Sequence, residues 1–131
     1  MIAYCTSKNA PLIIATIIVL PVAFIYGFQP NLCFDVALQS TDENNIFKAI
    51  MGLYLAFASL WLLGIINSKY WQAAIASNIF FMFGLAFGRI FSVISDGIPS
   101  TIFVLGTFGE LVLGFYAIYV LKKSYKHLKE S

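Results

Sequence analysis

The chain has 131 residues, of which 60% are hydrophobic and only 11% charged, and its formal net charge is +2. A mean hydropathy of +0.87 is more apolar than a soluble domain of this length can hide, so the bilayer is expected to be part of its solvent. The small charge gives no nucleic-acid footprint. Cys5 and Cys33 stand in no CxxC or Cys/His pattern, so no metal, redox motif or cofactor is expected.

Crossing roughly 30 Å of hydrocarbon takes about 20 mostly apolar residues, and four segments approach that: 11 to 28, 47 to 67, 71 to 94 and 101 to 121. The expected fold class is therefore all-α, one integral membrane four-helix bundle. The first segment is longer than a usual signal core and lacks a small-x-small exit, so it reads as a retained span. Pro21 inside it should produce a kink. Residues 29 to 45 are polar, acidic and rich in turn formers (Pro30, Asn31, Asp42, Asn44, Asn45), which predicts an outer loop, with a short amphipathic piece around 33 to 38 resting on the surface. Residues 67 to 70 are so few that the second and third helices must form an antiparallel hairpin. Between the third and fourth, Gly97 is expected at positive φ and Pro99 at the start of the next helix.

Lys8, Lys69, Lys122, Lys123, Lys126 and Lys129 fall on one side of this arrangement, which marks that side as cytoplasmic and places both termini there. Asp35, Asp42, Glu43 and Asp96 fall on the other side with Lys48. Cys5 and Cys33 then lie on opposite faces and cannot pair. The basic tail 122–131, which includes His127, reads as an orientation signal and a contact for anionic lipid. Trp61, Tyr70, Trp71 and Tyr119 fit an inner interfacial belt, while Phe80, Phe81, Phe83, Phe87 and Phe91 read as core or lipid-facing residues. Small residues predict close helix approach: Gly84-x-x-x-Gly88, Gly52-x-x-x-Ala56, and Gly106 and Gly114 on either side of Glu110.

The informative residues are charges inside apolar spans. Arg89 lies seven positions before Asp96, at roughly 10 Å depth, and Glu110 lies ten positions after Ser100, at roughly 10 to 15 Å. Cα–Cβ bonds tilt towards helix N-termini, so the two side chains lean towards a common level and should form an ion pair. Ser92 and Asp96, at i+3 and i+7 from Arg89, extend a polar stripe from that pair to the outer surface, a candidate wall for an outward-facing pocket. Lys48 is either a snorkelling anchor or a member of this cluster. Two roles stand open for the pair: a clamp that fixes helix register, or a functional site.

The run Gly88-Arg-Ile-Phe-Ser-Val-Ile-Ser-Asp-Gly-Ile-Pro-Ser100 with Glu110-Leu-Val-Leu-Gly114, and Asn45-Ile-Phe-Lys-Ala-Ile-Met-Gly-Leu-Tyr54, resembles the bacterial four-helix membrane family catalogued as domain of unknown function 4345. The resemblance implies that Lys48, Gly52, Tyr54, Arg89, Ser92, Asp96, Gly97, Pro99 and Glu110 occupy its motif positions. Lys48 stands where that family often has arginine, which keeps the charge and loses the bidentate fork.

Three functions follow as expectations. The first is a non-enzymatic inner-membrane module that binds a lipid, a small amphiphile or a partner helix at a polar pocket open to the outer side. The second is proton-coupled transport or a channel-type subunit, with Glu110 changing protonation, which would need a homo-oligomer or another membrane protein to complete a pathway. The third, an intramembrane lipid-modifying enzyme, is the weakest, since no nucleophile–base pair, metal cluster or phosphate loop is present.

Overall fold

A computed structural model describes residues 2–34 and 36–130, with side chains described for 7–34 and 36–126. Asp35 and the side chains of Cys5, His127 and Lys129 lie outside the described residues. Four long helices follow one another: α1 (Ile2–Phe28), α2 (Thr41–Ile66), α3 (Trp71–Asp96) and α4 (Thr101–Glu130), and each holds a stretch long and apolar enough to cross a membrane. The fold is thus an all-α membrane bundle. Its terminus end carries both chain ends and the 67–70 turn; its loop end carries residues 29–40 and the turn at 97–100.

Three boundaries differ from the sequence-based ones. α1 starts at Ile2 rather than 11 and passes through Pro11 and Pro21 as one helix. α4 continues to Glu130, so the basic segment after 121 is a helical extension. α2 starts at Thr41 rather than 47, which shortens the expected 29–45 loop. The cause is a capping box: Ser40 Oγ accepts from the Glu43 amide at 3.1 Å, and Glu43 Oε2 accepts from the Ser40 amide at 3.2 Å. Two orphan amides are satisfied reciprocally, and Asp42 and Glu43 sit where the helix dipole favours negative charge. One 3-10 turn, Pro30–Leu32, follows α1, and the described residues among 33–38 form no helix.

The turn after α3 depends on Gly97, whose φ of 102° is the one positive value in the described backbone and costs a glycine least. Pro99 does not open the next helix; Ser100 does, its carbonyl accepting from the Phe103 amide at 3.0 Å.

Packing is strongest between α1 and α2, then between α3 and α4 and between α2 and α3, while α1 and α4 meet along a thin seam. Between helices in lipid, attraction comes from close contact rather than from hydrophobic transfer. Here alanines provide it: Ala15, Ala23, Ala58, Ala74 and Ala117 are fully buried. Gly64 is a close-approach point between α2 and α3, since a Cβ there would collide with the Ala74 methyl and meet the Trp71 backbone at 3.5 Å. Gly114 seats the Phe83 ring, 2.9 Å from where its Cβ would be. Gly52, Gly84, Gly88 and Gly106 do not act as close-approach points within this bundle, because a Cβ on any of them would meet nothing within 4 Å.

The terminus end holds the dense core. Trp61 is fully buried and donates from Nε1 to Ser77 Oγ at 3.1 Å, and Leu12, Ile75 and Trp71 pack in the same cluster. Trp61 and Trp71 are therefore core residues and not part of an interfacial belt, while Tyr70 and Tyr119 are exposed. The Lys8 ammonium lies 4.3 Å above the Trp71 ring centre, a placement that fits a cation at the end of an aromatic-lined core.

Candidate functional site

Arg89 on α3 and Glu110 on α4 face each other across the α3–α4 interface. Arg89 Nε donates to both carboxylate oxygens, at 2.9 Å to Oε1 and 3.1 Å to Oε2. Their side chains are 21% and 12% exposed, so the pair is largely but not wholly enclosed. Bonding through Nε leaves both terminal nitrogens of the guanidinium uncommitted to Glu110. The guanidinium carbon lies 5.2 Å from the Phe103 ring centre.

The pair forms one wall of a cavity of about 260 Å³ between α1, α3 and α4. Tyr26 and Tyr54 bring two phenols to that wall, and the rest is apolar: Val19, Val22 and Ile25 from α1, Met82 and Leu85 from α3, Phe103 and Leu113 from α4. The volume is just under the roughly 300 Å³ at which small-molecule sites begin.

The periodicity of α3 explains why these residues converge. Met82, Leu85 and Arg89 are spaced i, i+3 and i+7, so they share one stripe facing α1 and α4. On α4, Gly106, Gly109, Glu110 and Leu113 repeat the same spacing. The two glycines withhold side chains from the wall and keep the space beside Glu110 open.

The direction of opening differs in part from the sequence-based expectation. Towards the loop end the cavity is roofed by a ring stack in which Phe34 lies between Tyr26 (centroids 4.7 Å) and Phe103 (5.0 Å). Phe34 and Tyr26 are buried. Among the lining residues, the exposed ones are Ile18, Cys33, Ile102 and Gly109, all along the α1–α4 seam or its loop end. The mouth therefore runs along the side of the bundle, where acyl chains would lie, up to the loop end.

Three of the five polar candidates are not brought to the cavity. Ser92 Oγ donates to Asp96 Oδ2 at 2.9 Å on an exposed surface, and neither residue lines the cavity. Residues 90–96 continue the Arg89 stripe in register, but every residue there is exposed. Lys48 is exposed on α2, with no hydrogen bond or ion pair to a described residue, and does not reach Asp96. Tyr26, Phe34 and Phe103 belong to the site without having been singled out. The available signal was a tyrosine two residues before the end of an apolar span, where its hydroxyl needs a partner. Among the described residues, no group of three His, Cys, Asp or Glu side chains could hold a metal ion.

One further polar residue stands apart. Asn78 on α3 is fully buried, and both its amide nitrogen and oxygen lack a hydrogen-bond partner. It lies one turn from Met82, just beneath the cavity floor.

A comparison with known families and proteins fits this architecture. The model of the family described as Domain of unknown function (DUF4345) matches residues 8–121, a span that contains α2, α3, both cavity charges and most of the two outer helices. No curated protein and no solved structure matches the chain.

Proposed function

Because the chain belongs to the DUF4345 family and its four helices can each cross a membrane, we propose that it is a non-enzymatic membrane module that holds a membrane amphiphile in the Arg89–Glu110 cavity. In this reading the loop end faces outward across the inner membrane and both termini are cytoplasmic, consistent with Lys8, Lys69, Lys122, Lys123 and Lys126 at the terminus end.

The single observation that carries the reading is the combination of a paired charge with an apolar cavity whose mouth lies on the lipid-facing seam. A clamp alone explains the ion pair, because a buried charge needs a partner. It does not explain the glycines that leave open space beside Glu110. An amphiphile uses all of these: its chain lies against Val19, Val22, Leu85 and Leu113, and its head meets Arg89 and the phenols.

Native mass spectrometry of the protein released from membranes tests this. The wild type should retain one bound amphiphile. Gly109→Trp, which fills the mouth from a position where a side chain meets nothing within 4 Å, should lose it, and Gly84→Trp, equally open but away from the cavity, should keep it. Equal retention by wild type and Gly109→Trp would overturn the proposal.

A further inference from the structure

Resting on that reading, we infer that the occupant's head group is an uncharged hydrogen-bond acceptor, a carbonyl-bearing neutral amphiphile, rather than a carboxylate, phosphate or ammonium lipid.

Charge balance is the first argument. Arg89 and Glu110 are the two charged residues that line the cavity, and they neutralise each other at 2.9 Å. A charged head entering this volume would add a third charge without a counter-ion, in surroundings that solvate charge poorly. Lys48 could have supplied a second cation, but it lies outside the cavity.

Hydrogen-bond capacity is the second. The guanidinium spends Nε on the carboxylate, so the N–H groups on its two terminal nitrogens are the free capacity of the site. An arginine has five N–H donors and no acceptor. Tyr26 and Tyr54 also line the cavity, and a phenolic hydroxyl can donate as well as accept. Glu110 already accepts twice from Nε. The wall therefore offers mainly donors, and a carbonyl oxygen, which accepts and carries no charge, is the complement.

Geometry is the third. The rings of Tyr26, Phe34 and Phe103 cover the polar end of the cavity towards the loop end, so a strongly hydrated head would exchange much of its water for aromatic surface above Arg89. A weakly hydrated ester or ketone can lie beneath those rings while its chain leaves through the seam between Ile18 and Gly109. A volume of about 260 Å³ holds such a head with the first part of a single chain.

The full-length protein in phosphatidylcholine nanodiscs is titrated calorimetrically with three probes of equal chain length: 1-decanoylglycerol, decanoate and decyltrimethylammonium. The wild type should bind 1-decanoylglycerol at least about tenfold more tightly than either ion, a difference of about 1.4 kcal/mol. Arg89→Gln should lose that binding; because this variant risks misfolding, Gly109→Trp, altered only at the open mouth, should lose it as well. Binding of decanoate or decyltrimethylammonium as tight as that of the neutral probe would overturn the neutral-head inference while leaving the cavity an amphiphile site. Binding of none of the three by the wild type would overturn both.

Discussion

The two ends of the bundle are built on opposite principles. At the terminus end, Leu12, Ala15, Trp61, Trp71, Ala74, Ile75 and Ala117 are at most 4% exposed, and Gly64 lets α2 and α3 close to contact. At the loop end, the last turns of α3 and the first turns of α4 are largely exposed, and the space between α1 and α4 is a cavity instead of a core. One composition of apolar helices thus gives a packed half and an open half. What separates them is how the interfaces are filled: side chains in contact in one, and Gly106 and Gly109 beside a charge pair, with nothing within 4 Å of where their Cβ atoms would be, in the other. A protein that needed only a stable bundle would have no reason to leave the second half open.

The largest effect should come from the packed half. Trp61→Ala removes a fully buried indole and its bond to Ser77, and should destabilise by about 3 kcal/mol or more, read from reversible unfolding in mixed micelles. Gly64→Val, which forces a methyl group into Ala74, should cost on the order of 1 to 3 kcal/mol in the same assay. Asn78 sharpens the comparison because it is a buried amide without a partner at the boundary of the two halves. Asn78→Leu should be neutral or raise the melting temperature by a few degrees, since it removes two unsatisfied polar atoms at similar volume. A marked loss of stability would show that the amide has a partner in the membrane. The smallest effect belongs to Gly84→Leu, which should change stability by less than about 0.5 kcal/mol because a side chain there meets open space. A change in sedimentation mass for this variant would reveal that the glycine face packs against a second copy.

Much of this organisation is legible in the residues. Four apolar runs give the four helices, Gly97 gives the turn, and the matched depths of Arg89 and Glu110 give their pairing, because each rests on a strong local rule: span length, positive φ, or the cost of a lone charge in lipid. The start of α2 was also available, since Ser40-Thr41-Asp42-Glu43 is a capping box, but the polarity of residues 29 to 45 reads more strongly as loop. The small-residue motifs misled in part. Of the expected small residues, Gly114 is a contact point and Gly52, Gly84, Gly88 and Gly106 are not; close approach comes also from Gly64 and from buried alanines, which hydropathy does not distinguish from lipid-facing residues. The polar stripe misled for a different reason: Ser92 and Asp96 share a face with Arg89, but helical register does not say which turns of that face a neighbour covers. The roof is the least legible part. Phe34 reaches Tyr26 and Phe103 from a loop, and only the assembled fold brings those three rings together.

The central claim is that Arg89 and Glu110 serve a binding cavity and are more than a clamp. The most direct test is a thermal double-mutant cycle in detergent with wild type, Arg89→Ala, Glu110→Ala and the double variant, each with and without native lipid extract. Lipid should raise the wild-type melting temperature by on the order of 5 °C and leave the three variants unmoved, so that the measured coupling grows when lipid is present. A coupling that is strong and identical with and without lipid would contradict the claim and reduce the pair to a structural clamp.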